Sequence, residues 1–438
     1  MTNRREPLLL FIVDIAFFLA ALWLTLLLRY FVLPDINTFY NHLLPFSFLF
    51  GSSVVVFFIA GLYDKHAVLF RGKLPRTILN AQTVNIIIAA LFFFFIPYFG
   101  IAPKTSLGIY LIVSSALILF WRLYLFPRLV TRRQQKALLI GAGEEMEELK
   151  KEVNSNPLYP VLFVETIGSA FPLPEFVRSV QERVRKEGIA IVVCDTSDEK
   201  IGRALPRLYD LVFHGVRFID AAQMYEEIFD REPLSLLEHR WLVENISTAP
   251  RATYDFAKRV IDVIAGGALG ALSLIAYPFI ALAILFDDGG PVFIVQERVG
   301  EGGSLIQIVK FRSMRVRERE RVTRVGKFLR ALRFDELPQL LSVVAGEQSL
   351  IGPRPELPEY VKLYAEQIPY YNVRHLIKPG LSGWAQIQNI TPPKFEVQYE
   401  ATKRKLSYDL YYIKHRSLWL DIKISLKTIK TLLSRSGI

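Results

Sequence analysis

The residues best suited to chemistry lie late in the chain, where Asp335 and Glu336 stand side by side in Arg333-Phe-Asp-Glu-Leu-Pro-Gln339. Pro338 fits only the first turn of a helix, so Asp335 is expected at or just before a helix start. Free backbone amides and the helix dipole favour negative charge there. Such a pair can be a helix cap and nothing more. The sequence in front of it changes the reading: residues 298–333 hold eleven Lys or Arg against three Glu, a net of +8. A carboxylate kept ionised among fixed cations can attack phosphorus and form an acyl phosphate. A neighbouring carboxylate can hold Mg²⁺ against a diphosphate, and arginines clamp phosphate oxygens with paired hydrogen bonds. Adjacent residues on a helix point apart, so Asp335 and Glu336 are expected to divide these duties.

The elements that must position this pair can be read around it. Residues 291–299 and 305–311 have strand character and are joined by Gly-Glu-Gly-Gly; the second runs into Lys310-Phe-Arg312-Ser-Met314. Downstream, Gly352-Pro-Arg354-Pro355 is a rigid turn, and Lys378-Pro-Gly-Leu-Ser-Gly-Trp384-Ala-Gln386 is a glycine-punctuated loop. Upstream, an apolar stretch over residues 260–286 opens with Lys258-Arg259 and closes with Asp287-Asp288. It is long enough to span a bilayer, but Pro278 lacks the amide that would bond Leu274. A full crossing would also carry the basic cluster away from the positive side. The expectation is a re-entrant helix over about 258–286, broken at Pro278.

Apolar residues make up 52% of the 438 and charged residues 22%, with a formal charge of +11. That mixture suits apolar spans joined to charged, water-facing domains, and the charge suits anionic partners. The single cysteine, Cys194, excludes an internal disulfide and a cysteine-built metal cluster. Four apolar stretches, residues 8–28, 43–62, 83–99 and 107–126, are each close to the span of a membrane helix. The first is too long for the core of a cleaved leader. Arg4, Arg5, Lys65, Arg71, Lys73, Arg76, Arg128, Arg132, Arg133 and Lys136 cluster at ends that then share the cytoplasmic side. Asp14, inside the first stretch, is either a functional carboxylate or a polar contact within the bundle.

From about residue 132 strands and helices alternate: strands at 136–140, 161–167 and 189–194, helices at 144–154 and 175–186. This order indicates a small α/β domain. Gly141-Ala-Gly143 follows the first strand, but Met146 occupies the third position of a G-x-G-x-x-G fingerprint. A regulatory or assembly role is favoured over dinucleotide binding. Residues 417–433 form an amphipathic stretch suited equally to the core or to a membrane surface. His375 reads as a phosphate or surface contact, not a metal ligand.

Taken together, Lys258-Arg259 with Asp262, Gly290-Pro-Val-Phe293, Gln296-Glu-Arg298-Val-Gly300, Lys310-Phe-Arg-Ser-Met314, Asp335-Glu-Leu-Pro-Gln339, Gly352-Pro-Arg-Pro355, Pro379-Gly-Leu-Ser-Gly-Trp-Ala-Gln386 and Tyr408-Asp-Leu-Tyr-Tyr-Ile413 with Ser417-Leu-Trp-Leu-Asp421 resemble the bacterial sugar transferases. The likeness is to the large monotopic polyprenyl-phosphate hexose-1-phosphate transferases, of the undecaprenyl-phosphate glucose phosphotransferase type. The resemblance implies a transmembrane α-helical bundle at 1–130, a Rossmann-like α/β domain at 131–250, and an α+β catalytic domain with the re-entrant helix at 251–438. It implies that Asp335 accepts the phospho-sugar as UMP leaves a UDP-sugar, that Glu336 supports Mg²⁺, and that a polyprenyl phosphate then attacks. Lys310, Arg312 and Arg330 would face substrate phosphates, Arg354 the nucleotide side, and Gln339 would also contact substrate. The expected setting is a bacterial inner membrane with the site on its cytoplasmic face; a homo-oligomer is compatible, and nucleic acid is not a partner. Two rivals are a membrane-anchored nucleotide-sugar dehydratase or epimerase, on the strength of Tyr254-Asp-Phe-Ala-Lys258, and a silent scaffold of polysaccharide assembly, whose mark would be a lost acidic pair.

Overall fold

A computed structural model describes residues 5–64, 74–96, 104–130, 134–157, 159–168, 171–237, 239–246, 251–315, 321–388 and 398–433. Arg4, Lys65, Arg71, Lys73, Arg132 and Arg133, which carried much of the orientation reading, lie outside the described residues. The chain divides into two compact units, residues 1–224 and 225–438.

The first unit opens with helices α1 (Arg5–Tyr30), α2 (Ile36–Ala60), α3 (Leu74–Phe95) and α4 (Lys104–Phe120). All four are long and apolar enough to cross a membrane, with hydropathies of 2.5, 2.2, 2.0 and 1.9. Helix α3 starts well before the expected residue 83. Arg76, Asn80 and Gln82 hid its beginning: Arg76 and Asn80 are exposed, while Gln82 is buried and its Oε1 accepts from the buried Asn85 amide at 2.9 Å. Polar side chains that pair inside a bundle cost a span little. Asp14 proves to be a polar contact of the bundle. It is fully buried against the Arg122 guanidinium, and Tyr63 donates to it at 2.9 Å. A π-helical turn, Trp121–Leu125, continues α4 and carries Arg122.

The α/β part of this unit holds β1 (Gln135–Ile140), α5 (Glu144–Ser155), β2 (Val161–Ile167), α6 (Leu173–Glu187), β3 (Ile191–Cys194), α7 (Glu199–Leu208) and β4 (Arg217–Asp220). The four strands form one parallel sheet in the order β2-β1-β3-β4. Near-continuous apolar runs in β1 and β3 are buried, as in a sheet covered on both faces.

In the second unit, α8 (Ala252–Leu274) and α9 (Tyr277–Asp288) meet at a 54° bend. The break falls at Ile275 and Ala276. Pro278 sits in the first turn of α9, where its missing amide is harmless, so it starts a helix instead of kinking one. One face of α8 packs inward through Asp262, Gly266 and Ser273. The other leaves Ile264 and Leu272 exposed; Ile275 at the break and, on α9, Phe279, Leu282 and Phe286 are exposed as well. The antiparallel hairpin β5 (Phe293–Val299) and β6 (Leu305–Phe311) follows. Then come α10 (Arg324–Leu332), α11 (Gln339–Ala345), β7 (Ser349–Ile351), α12 (Pro358–Gln367), β8 (Gly380–Ser382), α13 (Tyr399–His415) and α14 (Leu418–Leu433). Strands β7 and β8 pair in parallel. Helix α14 settles the question left by residues 417–433 in part: Leu420 and Ile424 are buried in a core with Trp384 and Tyr412, while Trp419, Ile422 and Ile429 stay exposed.

Candidate active site

Asp335 and Glu336 lie in a single 3₁₀ turn, Phe334–Glu336, between α10 and α11. Arg333 enters that turn with φ of 56°, a left-handed conformation uncommon outside glycine. Its amide caps α10, and the Glu336 amide donates to its carbonyl at 3.2 Å. The turn points the two carboxylates into different surroundings.

Glu336 is buried and sheathed in positive charge. Arg354 donates to Oε1 at 2.5 Å, Lys310 Nζ stands 3.6 Å from Oε1, and Arg333 stands 3.6 Å from Oε2. Burial opposes its charge, but Arg354, Lys310 and Arg333 outweigh burial and hold this carboxyl well below the ordinary range. Lys310 is itself pulled down to about 8 by burial, with Glu336 acting the other way. Asp335 is half-buried and moves oppositely: burial and then the Glu336 charge raise it, partly offset by Lys310, Arg330 and Arg354. Among the described residues Asp335 has no ion pair within 4.0 Å, so its oxygens are not committed to another side chain. Carboxylates whose environments push them apart take different chemical roles.

The site residues expected from sequence are only partly brought together. Lys310, Arg354 and Glu336 touch, and Arg330 lies close enough to act on Asp335 while its Nε donates to Ser313 at 2.8 Å. Gln339 is buried at the first residue of α11. Arg312 goes elsewhere. Only 5% exposed, it donates to Asp288 and to the Pro291 carbonyl, both at 2.7 Å, and so ties the end of α9 to the end of β6. Its neighbours are structural. His375 is buried, which lowers it to about 4, so it is neutral near pH 7 and offers no cation to a phosphate.

Two cations escaped the sequence reading. Arg333 looked like the end of the basic run, and only the turn geometry brings it to Glu336. Arg298 could have been found from the two-residue period of a strand. Lys310 pairs with Ile294, and Arg298 lies four residues further along β5, so both share one face of the hairpin. Burial lowers Arg298, and its charge is felt by Lys310.

The motif residues on α8 serve as anchors. Arg259 donates to the carbonyls of Val343 and Val344 at the end of α11, where a cation also suits the helix dipole. Asp262 accepts the Leu350 amide at 3.0 Å. Tyr254 and Lys258, the pair behind the dehydratase alternative, both bond Asp421. Gly266 lets α8 press on α11; a methyl group there would meet Val343 Cγ1 at 3.1 Å.

A Mg²⁺ ion held on Glu336 itself fits these residues poorly, because Arg354, Lys310 and Arg333 already face both oxygens of that carboxylate. Among the described residues one other group has metal-ligand character, Glu226, Glu232 and His415. There Lys414 bonds Glu226 and stands 3.2 Å from Glu232, supplying the positive charge itself. The Gly141–Gly143 loop leads into α5, whose first turn holds Glu144, Glu145 and Glu147. Those acids put negative charge where a phosphate would have to dock.

The family described as "Bacterial sugar transferase" matches residues 253–435. A "UDP-N-acetylgalactosamine-undecaprenyl-phosphate N-acetylgalactosaminephosphotransferase" of Aeromonas hydrophila is 42% identical over 204 residues, covering 44% of this chain and 47% of that protein, under half its length. A "UDP-glucose:undecaprenyl-phosphate glucose-1-phosphate transferase" of Caulobacter vibrioides is 41% identical over 196 residues, covering 42% of this chain and 73% of its own. A "UDP-galactose-lipid carrier transferase" of Erwinia amylovora is 28% identical over 372 residues, covering 74% of each.

Proposed function

This chain belongs to the bacterial sugar transferases, and from that premise we propose that it moves a hexose 1-phosphate from a UDP-sugar onto undecaprenyl phosphate. The observation that carries this reading is the split of the acidic pair: Glu336 locked by three cations, Asp335 beside it with uncommitted oxygens. An Asp335 oxygen attacks the phosphorus that bears the sugar. The bond from that phosphorus to the bridging oxygen breaks, and UMP leaves with the electron pair. An oxygen of the lipid phosphate then attacks the same phosphorus and releases the Asp335 carboxylate. Lys310 and Arg330, whose charges act on Asp335, would steady charge on the transferring group, and Arg354 holds Glu336 in place. No step is assigned to Arg312, whose Nε and Nη1 donate to Pro291 and Asp288.

A soluble donor and a lipid acceptor must meet at a headgroup plane, and the bent pair α8–α9 with its exposed apolar face suits a helix that enters one leaflet and returns. The proposed setting is the cytoplasmic face of a bacterial inner membrane, with the parallel-sheet domain as a regulatory or assembly element. A tag after Ile438 reachable only from the periplasm would remove the re-entrant reading. The sugar stays open, since the relatives name three different ones.

The deciding experiment uses purified protein, undecaprenyl phosphate and a panel of UDP-sugars. Labelled sugar phosphate should stay on the wild-type protein when lipid is withheld, and Asp335→Asn should leave none and release no UMP. Full turnover by Asp335→Asn would end the covalent reading.

A further inference from the structure

The turn that carries Arg354 cannot hold itself. Pro353 and Pro355 have no amide hydrogen, so the segment lacks two of the donors a regular strand would use. Its carbonyls are instead taken one by one by distant elements. Gly380 donates to Pro353 O at 2.9 Å, Val299 donates to Glu356 O at 3.0 Å, and Arg374 donates to Arg354 O at 2.8 Å. The third of these bonds comes from a side chain and lands on the residue whose guanidinium grips Glu336.

Arg374 is itself fully enclosed, with 2% of its surface exposed. It lies in the 3₁₀ turn Tyr371–His375, donates to Tyr371 Oη at 2.9 Å and meets Asp409 at 2.8 Å. Glu356 stands 3.8 Å away and is bonded by Lys405. Lys405 and Asp409 are one helical turn apart on α13, so one buried face of that helix presents both charges. Two cations and two anions thus balance one another, with Arg374, Lys405 and Asp409 buried and Glu356 partly exposed. Apolar side chains of similar volume would stabilise such an interior about as well. What they could not supply is a fixed donor aimed at one carbonyl.

We propose that Arg374 is a positioning residue for the transfer reaction: held by Asp409, it fixes the Arg354 backbone and so sets the guanidinium that orients Glu336 beside Asp335. It touches no substrate. The inference rests on the function proposed above.

The test is a double-mutant cycle on the full-length protein in lipid nanodiscs. Arg374→Lys keeps the charge but loses the planar fork, and should lower kcat about 10- to 100-fold, the usual effect of disturbing a supporting residue. KM for the UDP-sugar should move less than about threefold and the thermal midpoint little. In an Arg354→Lys background the same change should cost less than about threefold more, because the fork it positions is already gone. Equal losses in both backgrounds, or wild-type kcat in folded Arg374→Lys, would overturn the proposal. If Arg374→Lys does not fold, Asp409→Asn loosens the same guanidinium without removing it and is read against the same limits. A wild-type protein that releases no UMP from any donor would instead remove the reaction, and the positioning role with it.

Discussion

Replacing Gly380 by alanine tests how closely two backbones must approach for Arg354 to reach Glu336. A Cβ on residue 380 would lie 2.1 Å from Gly352 N, 2.6 Å from Gly352 Cα and 2.7 Å from Ile351 C. All three are backbone atoms, so no side chain can rotate away. Ordinary contact begins at 3.4 Å, so β7 and β8 would have to separate by about 1.3 Å. The bonds Gly352 N to Ser382 O at 2.8 Å and Gly380 N to Pro353 O at 2.9 Å would then stretch beyond hydrogen-bond range. Two lost bonds at about 1 kcal/mol each, plus about 1–3 kcal/mol of overpacking, give a destabilisation of about 3–5 kcal/mol. For a unit of this size that lowers the melting temperature by roughly 10 °C. Arg354 is two residues from the strained contact, and a displacement near 1 Å at a catalytic constellation costs about 100-fold in rate. Thermal unfolding and UMP release measure the two effects separately. Gly267→Ala is the control, since nothing lies within 4 Å of its added methyl and alanine favours the helix. A Gly380→Ala protein that melts and turns over like wild type would refute the close-approach reasoning.

Other consequences can be checked without a substrate or with simple variants. Adding about 10 mM Mg²⁺ in the absence of donor should leave the thermal midpoint unchanged, whereas an ion held on Glu336 at 100 times its Kd would add about 2.7 kcal/mol of stability. Burial, with the neighbouring Glu226 charge, pushes Glu232 up to about 8, against the pull of Lys414. A carboxyl raised in the folded state stabilises most below its unfolded value and loses that stability as pH rises toward about 8. Urea unfolding between about pH 5 and 9 should therefore show a steeper decline for wild type than for Glu232→Gln, and parallel curves would contradict the assignment. Gln348 is wholly buried, and among the described residues neither its Oε1 nor its Nε2 has a hydrogen-bond partner. Gln348→Met should therefore raise stability by about 1–3 kcal/mol, and a lowered melting temperature would show that the amide is satisfied in solution.

Much of the architecture was legible because it depends on local periodicity. Four apolar stretches read as four helices, and strands at 161–167 and 305–311 were found at their observed ends. The boundary of α3 was not, because Arg76, Asn80 and Gln82 lower the hydropathy of its first turns, and hydropathy cannot tell that Gln82 is bonded to Asn85 inside the bundle. Likewise Pro278 announced a break, but the bend came two residues earlier, since a proline is easier to accommodate in the first turn of a new helix.

The acidic pair and the surplus of cations around it are written in the sequence. Which cation meets which carboxylate is not. Arg354 reaches Glu336 from 18 residues away, and Arg374 meets Asp409 across 35 positions. Spacing along the chain carries no information about such pairs; only the crossing of strands, turns and helices does. The same crossing sends Arg312 to Asp288 and leaves Asp335 its free oxygens, although both residues belong to the same basic and acidic stretch. Residue types set which chemistry the chain is capable of. Tertiary packing decided which carboxylate keeps uncommitted oxygens, because charge in a buried site is governed by its nearest neighbours.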